Sequence, residues 1–319
     1  MIVLKRGCAV LLCVLFFNIF APSQPQDKKS ATTTEAQGRN ALAPIRDGFV
    51  TMSDGAKIHY LAAGKMTSAP PLVFIPGLMM TASLWNQQLR MFSASRLVIA
   101  VDSRSQGESS ITLSGNTPEH RAIDLHELIT SLNITKFVIV GWSQGAHDVA
   151  AYIQEYGTDS LAGIVFVDST VSYGPAEVDA HKEFSKVILS RPAVFEAHPA
   201  EFYEEWVRSV FRKPHPDLDM QQIINESKKT PVSIGIAMLV ADIFGVDRRP
   251  ALKKIDRPTL VIASAESPLV DVEKEMAEAI SGARWVAVPE TGHALFIDAP
   301  EKFDDELAQL LKATARPGQ

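Results

Sequence analysis

Apolar positions along this chain fall into two alternating patterns. Short runs dense in Val, Ile, Leu and Phe, bounded by Gly, Pro, Asp and Ser, mark strands, and apolar residues three or four apart between them mark helices. The strand candidates are Gly48 to Met52, Lys57 to Ala62, Leu72 to Ile75, Leu97 to Val101, Phe137 to Val140, Ile164 to Val167, Leu260 to Ala263 and Trp285 to Val288. From Ile45 onward strands and helices take turns, which predicts an α/β fold: an eight-stranded, mostly parallel sheet with helices on both faces. Between Val167 and Leu260 the pattern changes. About 90 residues there carry no strand signal but several helical ones, among them Glu201 to Phe211 and Val232 to Phe244. That stretch reads as a helical cap inserted over about 170–256.

One junction of the two patterns is specific. The strand Phe137 to Val140 enters Gly141-Trp142-Ser143-Gln144-Gly145 and leaves as a helix with Ala146, Val149, Ala150 and Ile153 on its apolar side. A serine at the apex of so tight a strand-to-helix turn needs small residues two before and two after it, and Gly141 and Gly145 meet that need. Such a turn lifts Ser143 above the sheet edge at a helix N-terminus, where free N–H groups and the helix dipole favour developing negative charge. Ser143 is therefore a candidate nucleophile.

Composition narrows the setting. The 319 residues carry a formal net charge of -6, with Lys and Arg interspersed among Asp and Glu, so no basic stripe predicts a nucleic-acid partner. No metal cluster, phosphate-cradling glycine loop or flavin motif is present either, and no cofactor is expected. At the N-terminus, Lys5 and Arg6 precede an apolar run from Cys8 to Ala21, the length of a signal-peptide core and shorter than a bilayer span. Residues 1–23 are expected to be a signal peptide cut between Ser23 and Gln24, sending the protein to the periplasm or the medium; an uncleaved membrane anchor is the alternative. Residues 24–43, polar and without an apolar period, read as a flexible linker before a domain spanning 44–319. Both cysteines, Cys8 and Cys13, fall within the leader, so neither disulfides nor thiolate metal sites are expected in the mature chain. Composition leaves the oligomeric state open.

A serine hydroxyl needs a base with a pKa near the working pH, and histidine fits. Of the eight histidines, His293 stands out because Pro289-Glu290-Thr291-Gly292-His293 is a short loop directly after the last strand, at the sheet end that carries the elbow. His147 lies one helical turn beyond Ser143 and points along the helix, which suits packing better than proton transfer.

Four ordered motifs now stand together: Phe74-Ile75-Pro76-Gly77-Leu78 after the third strand, Asp102-Ser103-Arg104-Ser105-Gln106-Gly107-Glu108-Ser109 after the fourth, the elbow, and Gly292-His293 after the last. In them the chain resembles the α/β-hydrolase superfamily, closest in style to its cap-bearing esterase, haloperoxidase-like and haloalkane-dehalogenase branches, from about Phe49 to Leu311. The resemblance implies acyl transfer to water by a Ser-His-acid triad, with an oxyanion hole made from the backbone N–H groups of Gln144 and Leu78. It implies loop-tying roles for Asp102 and Arg104. Serine at the nucleophile, where dehalogenases and epoxide hydrolases of this fold carry aspartate, implies an ester-like small-molecule substrate.

The third triad member departs from the family pattern. The usual acid after the seventh strand falls on Ser267, which cannot hold the charge. Asp168, at the end of the sixth strand, matches the place from which some relatives take the acid instead; Glu266 and Asp271 are the other candidates. Leu78, Met79, Met80, Trp85 and Trp142 suggest an apolar pocket under the cap. Two classes of function follow. One is an exported serine hydrolase that cleaves small carboxyl esters through an acyl-enzyme on Ser143; the other is a triad-degenerate fold used for binding, or a Ser-His enzyme with lyase, haloperoxidase-like or C–C hydrolase chemistry.

Overall fold

Eight strands form one sheet in the computed structural model, which describes residues 43–172 and 182–314. The expected leader and, apart from Ala43, the linker lie outside these residues. The strands are β1 (Arg46–Thr51), β2 (Lys57–Ala63), β3 (Leu72–Ile75), β4 (Val98–Val101), β5 (Phe137–Trp142), β6 (Leu161–Val167), β7 (Thr259–Ser264) and β8 (Arg284–Val288). Their order is β1-β2-β4-β3-β5-β6-β7-β8; β2 runs antiparallel to both neighbours and β3 to β8 are parallel throughout. This is the α/β fold that the apolar pattern predicts. Several strands reach further than their apolar runs, β5 and β6 among them. β5 continues through Gly141 and Trp142, paired with Phe166 and Val167, and β6 starts at Leu161, because ladder hydrogen bonds and not side-chain type set the ends.

Residues alternate between the two faces of the sheet. Val73, Ile75, Ile99 and Ile139 pack with α2 (Pro118–Ser131) and α3 (Gln144–Tyr156), whereas Leu72, Phe74, Val138 and Val140 pack with α1 (Asn86–Phe92) on the other face. Both faces are covered, so the central strands are buried from end to end and their sequences are continuous apolar runs.

Between β6 and β7 the described residues carry α4 (Lys182–Ala197), α5 (Pro199–Ser209), α6 (Met220–Ser227) and α7 (Val232–Phe244). After β7 come α8 (Val270–Glu278), α9 (Leu295–Asp298) and α10 (Pro300–Thr314). Phe195, Phe202, Tyr203, Ile234, Met238 and Leu239 of the helices before β7 bury against Leu78 and Met79, forming a third, smaller core above the sheet. Polar bonds fix these helices in place. Asp242 of α7 accepts from Gln144 Nε2 at 2.7 Å, Trp206 Nε1 donates to the Leu78 carbonyl at 3.0 Å, and Thr230 Oγ1 donates to the Ser105 carbonyl at 2.9 Å. Among the described residues no helix is long and apolar enough to cross a membrane.

The loop after β4 is held by charge. Asp102 accepts from Ala82 N at 2.7 Å and Glu108 N at 2.9 Å and pairs with His59 Nδ1 at 2.8 Å, so one carboxylate joins three segments. Arg104, whose side chain is 1 % exposed, donates to Asp124 through Nε at 2.8 Å and to Asp54 through Nη1 at 2.7 Å. Removing one partner of a buried pair strands the other charge, so Arg104→Ala should lower unfolding stability by about 3 to 5 kcal/mol in urea titrations. A loss below about 1 kcal/mol, the range of an exposed pair, would mean that this guanidinium does not hold the loop.

Candidate active site

The elbow depends on missing side chains. Ser143 has φ 54° and ψ -120°, a region that costs a non-glycine residue of order 1 to 3 kcal/mol and survives only where the surroundings enforce it. A Cβ on Gly141 would lie 2.3 Å from the Gly145 carbonyl oxygen, and one on Gly145 would lie 2.6 Å from the Ile75 carbonyl oxygen. Strand, turn and helix therefore close against one another without intervening side chains. The Ser143 N–H donates to the Val167 carbonyl at 3.1 Å and its own carbonyl accepts from Ala146 at 2.9 Å, which anchors both sides of the turn.

His293 reaches the same place from β8. Its Nδ1–H donates to Asp168 Oδ2 at 2.6 Å, which leaves Nε2 as the acceptor of the neutral ring. The other carboxylate oxygen of Asp168 accepts from the Ser264 N–H at 2.6 Å, so the aspartate bridges the ends of β6 and β7 while holding the histidine. Asp168 itself sits at φ 46°, and its N–H donates to the Ile262 carbonyl at 2.9 Å. Two residues fix the His293 loop: Trp142, expected in the pocket wall, and Asp298, which the sequence did not single out. Trp142 Nε1 donates to the His293 carbonyl at 2.9 Å, and Asp298 accepts from the Gly292 N–H at 2.6 Å, from the Arg212 N–H at 2.9 Å and pairs with His215 at 2.6 Å.

The other acid candidates go elsewhere. Glu266 is exposed and accepts from the Glu290 N–H at 3.1 Å, a bond that holds its carboxyl below the usual range and pins the start of the His293 loop. Asp271 is exposed on the first turn of α8 and does not line the cavity described below. His147 is buried on α3, and burial, with Arg248 and Arg121 nearby, pushes its pKa down to about 3, so it is neutral at ordinary pH.

Leu78, Gln144, Ser143, His293 and Asp168 all line one cavity of about 520 Å³. Among the described residues neither the Leu78 nor the Gln144 N–H has a protein acceptor, whereas the neighbouring Met79 N–H is taken by Gln106 Oε1. A Cβ on Gly77 would lie 3.1 Å from Ser143 Cβ, so the β3 loop lies directly against the serine. The expectation of an apolar pocket wall holds for Leu78 alone. Met79, Met80, Trp85 and Trp142 are 2 % exposed or less and belong to the core. Among the described residues no group of three or more His, Cys, Asp or Glu side chains could hold a metal ion.

A further carboxyl lines this cavity. Glu273 of α8 is 1 % exposed, and neither oxygen makes a well-formed hydrogen bond. Burial, reinforced by the charge of Asp168 and only weakly offset by the Ser267 hydroxyl, raises its pKa well above the usual carboxyl range. The folded state then binds this proton more tightly than the unfolded chain, so stability falls as pH rises above the unfolded pKa of about 4.3. Glu273→Gln, which keeps the shape without the charge, should raise the melting temperature at pH 8, with the gain shrinking toward pH 5. A thermal series that shows no gain at pH 8 would mean that this carboxyl is ionised at no cost.

Comparison with known proteins finds relatives along most of the chain. The chain is 25% identical over 283 residues to the bifunctional esterase/perhydrolase of Acinetobacter calcoaceticus, covering 83% of this chain and 100% of the relative. It is 25% identical to the non-heme chloroperoxidase CPO-A1 of Kitasatospora aureofaciens, over 82% of this chain and 98% of that one. The crystal structure of a bromoperoxidase from Bacillus anthracis superposes with a TM-score of 0.74 at 24% identity, covering 84% of this chain and 100% of the other. The model of the alpha/beta hydrolase family matches residues 72–306, from β3 into α10, and the chain belongs to that family.

Proposed function

We propose that the protein is a serine hydrolase acting on small carboxyl esters, with Ser143 as nucleophile, His293 as general base and acid, and Asp168 as the triad acid. The observation that most supports this reading is the 2.6 Å bond from His293 Nδ1 to Asp168, beside a cavity that Ser143 shares. In the acylation step Ser143 Oγ attacks the ester carbonyl while His293 Nε2 takes the hydroxyl proton. The oxyanion that forms is met by the Leu78 and Gln144 N–H groups, which are free of other acceptors and need no reorganisation. The imidazolium, stabilised by Asp168, then protonates the leaving alcohol. Water repeats the sequence on the acyl-enzyme and releases the acid. Membership of a hydrolase family and a relative named as an esterase are consistent with this chemistry.

We further propose export, with residues 1–23 removed as the signal peptide. N-terminal sequencing of protein from the producing cell should begin at Gln24; a mature chain that begins at Met1 would refute it.

A fluorophosphonate probe should label Ser143, and Ser143→Ala should abolish both labelling and hydrolysis of p-nitrophenyl esters. An adduct on another residue would remove the nucleophile from this account. Asp168→Asn should keep the fold but lower turnover by about 10⁴-fold, because the amide favours the wrong histidine tautomer. Glu266→Gln, whose carboxylate accepts from the Glu290 N–H and the Ser264 hydroxyl and not from His293, should change turnover by less than about tenfold, under about 1.4 kcal/mol in barrier. If those two effects are reversed, the acid is Glu266.

A further inference from the structure

The cap side of the cavity holds cations that the proposed chemistry does not use. Arg191 of α4 and Arg212, just beyond α5, both line the cavity, and among the described residues no carboxylate lies within ion-pair distance of either side chain. Arg191 is the more constrained. Its guanidinium carbon lies 5.3 Å from the Trp206 ring centroid and 5.8 Å from that of Phe202, two rings stacked at 15° that make a flat aromatic shelf. Burial against this shelf pulls the arginine pKa down, and Glu205 acts on it only at longer range.

A cation–π contact holds a guanidinium without consuming its N–H donors, whose planar fork matches a carboxylate through two parallel hydrogen bonds. The shelf is also registered to the chemistry. Trp206 Nε1 donates to the carbonyl of Leu78 at 3.0 Å, and the N–H of the same Leu78 faces no protein acceptor beside Ser143. Arg191 therefore sits at a set distance from the place where an ester carbonyl would be attacked. Among the described residues no other charge in the cavity neutralises it: Asp168 is taken by His293, Asp242 by Arg121 and Gln144, and Glu273 is a buried carboxyl of α8 whose pKa burial raises. Glu266, the remaining carboxylate of the lining, is bonded to the Glu290 N–H on the opposite, β8 side.

We infer that the cavity recognises molecules carrying a carboxylate some distance from the ester, half-esters of short dicarboxylic acids being the simplest, with Arg191 gripping the carboxylate while the ester lies at Ser143. The substrate class rests on the serine-hydrolase reading above; the carboxylate site stands apart from it.

Two measurements separate the two. Monomethyl glutarate and its isosteric amide, in which a carboxamide replaces the free carboxylate, report the preference through kcat/KM. The wild-type protein should favour the carboxylate by about tenfold or more, and Arg191→Gln should bring that ratio to within about twofold, chiefly by raising KM for the half-ester. Arg191→Lys, which keeps the charge but lacks the planar fork, should retain only part of the preference. Arg208→Gln, an exposed arginine of α5 paired with Glu204 and outside the cavity, should leave the ratio unchanged. Equal turnover of the two esters by the wild-type protein, or an equal loss on both in Arg191→Gln, overturns the inference.

The second measurement needs no turnover. Calorimetry with Ser143→Ala protein should show glutarate binding that weakens by about tenfold or more when Arg191→Gln is added. No glutarate binding, or binding indifferent to Arg191, overturns the site. Arg191-dependent binding in a protein that cleaves neither ester would uphold the carboxylate site and overturn the hydrolase reading.

Discussion

The backbone of Ser143 is the constraint on which the site depends. Its left-handed conformation is strained, and it persists because β3, β5 and α3 meet with nothing larger than hydrogen between them at Gly141 and Gly145. The parallel pairing of β5 with β3 and β6 sets the height of that turn, and the same pairing delivers Gly77 and Asp168 to the sheet edge beside it. Three chain segments far apart in sequence converge because one ladder holds them in register. Loosening the ladder at β5 would misplace the serine, the loop beside it and the carboxylate together, so the fold and the chemistry share one source of precision.

Asp168 is the second point of convergence. It closes β6, accepts from the β7 backbone at Ser264 and receives the β8 histidine, so one side chain spans three consecutive strands of the sheet. Two further bonds restrain His293 independently of its ring, one from Trp142 on the strand that enters the elbow and one through Asp298 to Gly292. The histidine loop is thus tied to the elbow strand, to α9 and to the helices before β7, since Asp298 also holds the Arg212 N–H. A loop so tied loses little further freedom when it binds a reacting group, which is the physical content of preorganisation.

The sheet was legible in the sequence because its strands are buried on both faces and leave continuous apolar runs such as Leu72 to Ile75 and Val138 to Val140. Strand ends were less legible, since Gly141 and Trp142 join β5 through backbone bonds that composition does not encode. The elbow could be read because the steric demand falls on two fixed positions. Among the carboxylates the sequence favoured Asp168 by its place after the sixth strand but left Glu266 and Asp271 open, because the three differ in direction and not in kind. Asp298 escaped notice, and Trp142 was read as a pocket residue, for a related reason: an acid in a short helix and a tryptophan in a strand show no hydrogen-bonding role until the His293 backbone is placed beside them. Helix α4 carries a weak apolar pattern, and a proline inside it further blurs its signal.

Placing a carboxylate at the end of β6 changes what the β7 turn has to do. Where the turn itself holds the acid, its sequence is bound to that carboxylate; here Ser267 holds that place, and Glu266 is free to pin the loop that precedes His293. The space behind Ser267 is filled by Glu273, whose burial beside Asp168 is tolerable only as the neutral acid, because two carboxylates in one dry site repel each other and neither has donors to spare. The floor of the cavity then holds the Asp168–His293 pair and, at its edge, the exposed Glu266 bonded to the Glu290 N–H. The unpaired positive charge lies on the opposite side, on helices that are themselves fastened to the elbow through Asp242 and Gln144 and to the β3 loop through Trp206. On the proposed reading, arginines on one side of the cavity and Ser143 on the other would orient an asymmetric anionic guest, and the bonds that hold the helices before β7 would fix where its reacting end lies.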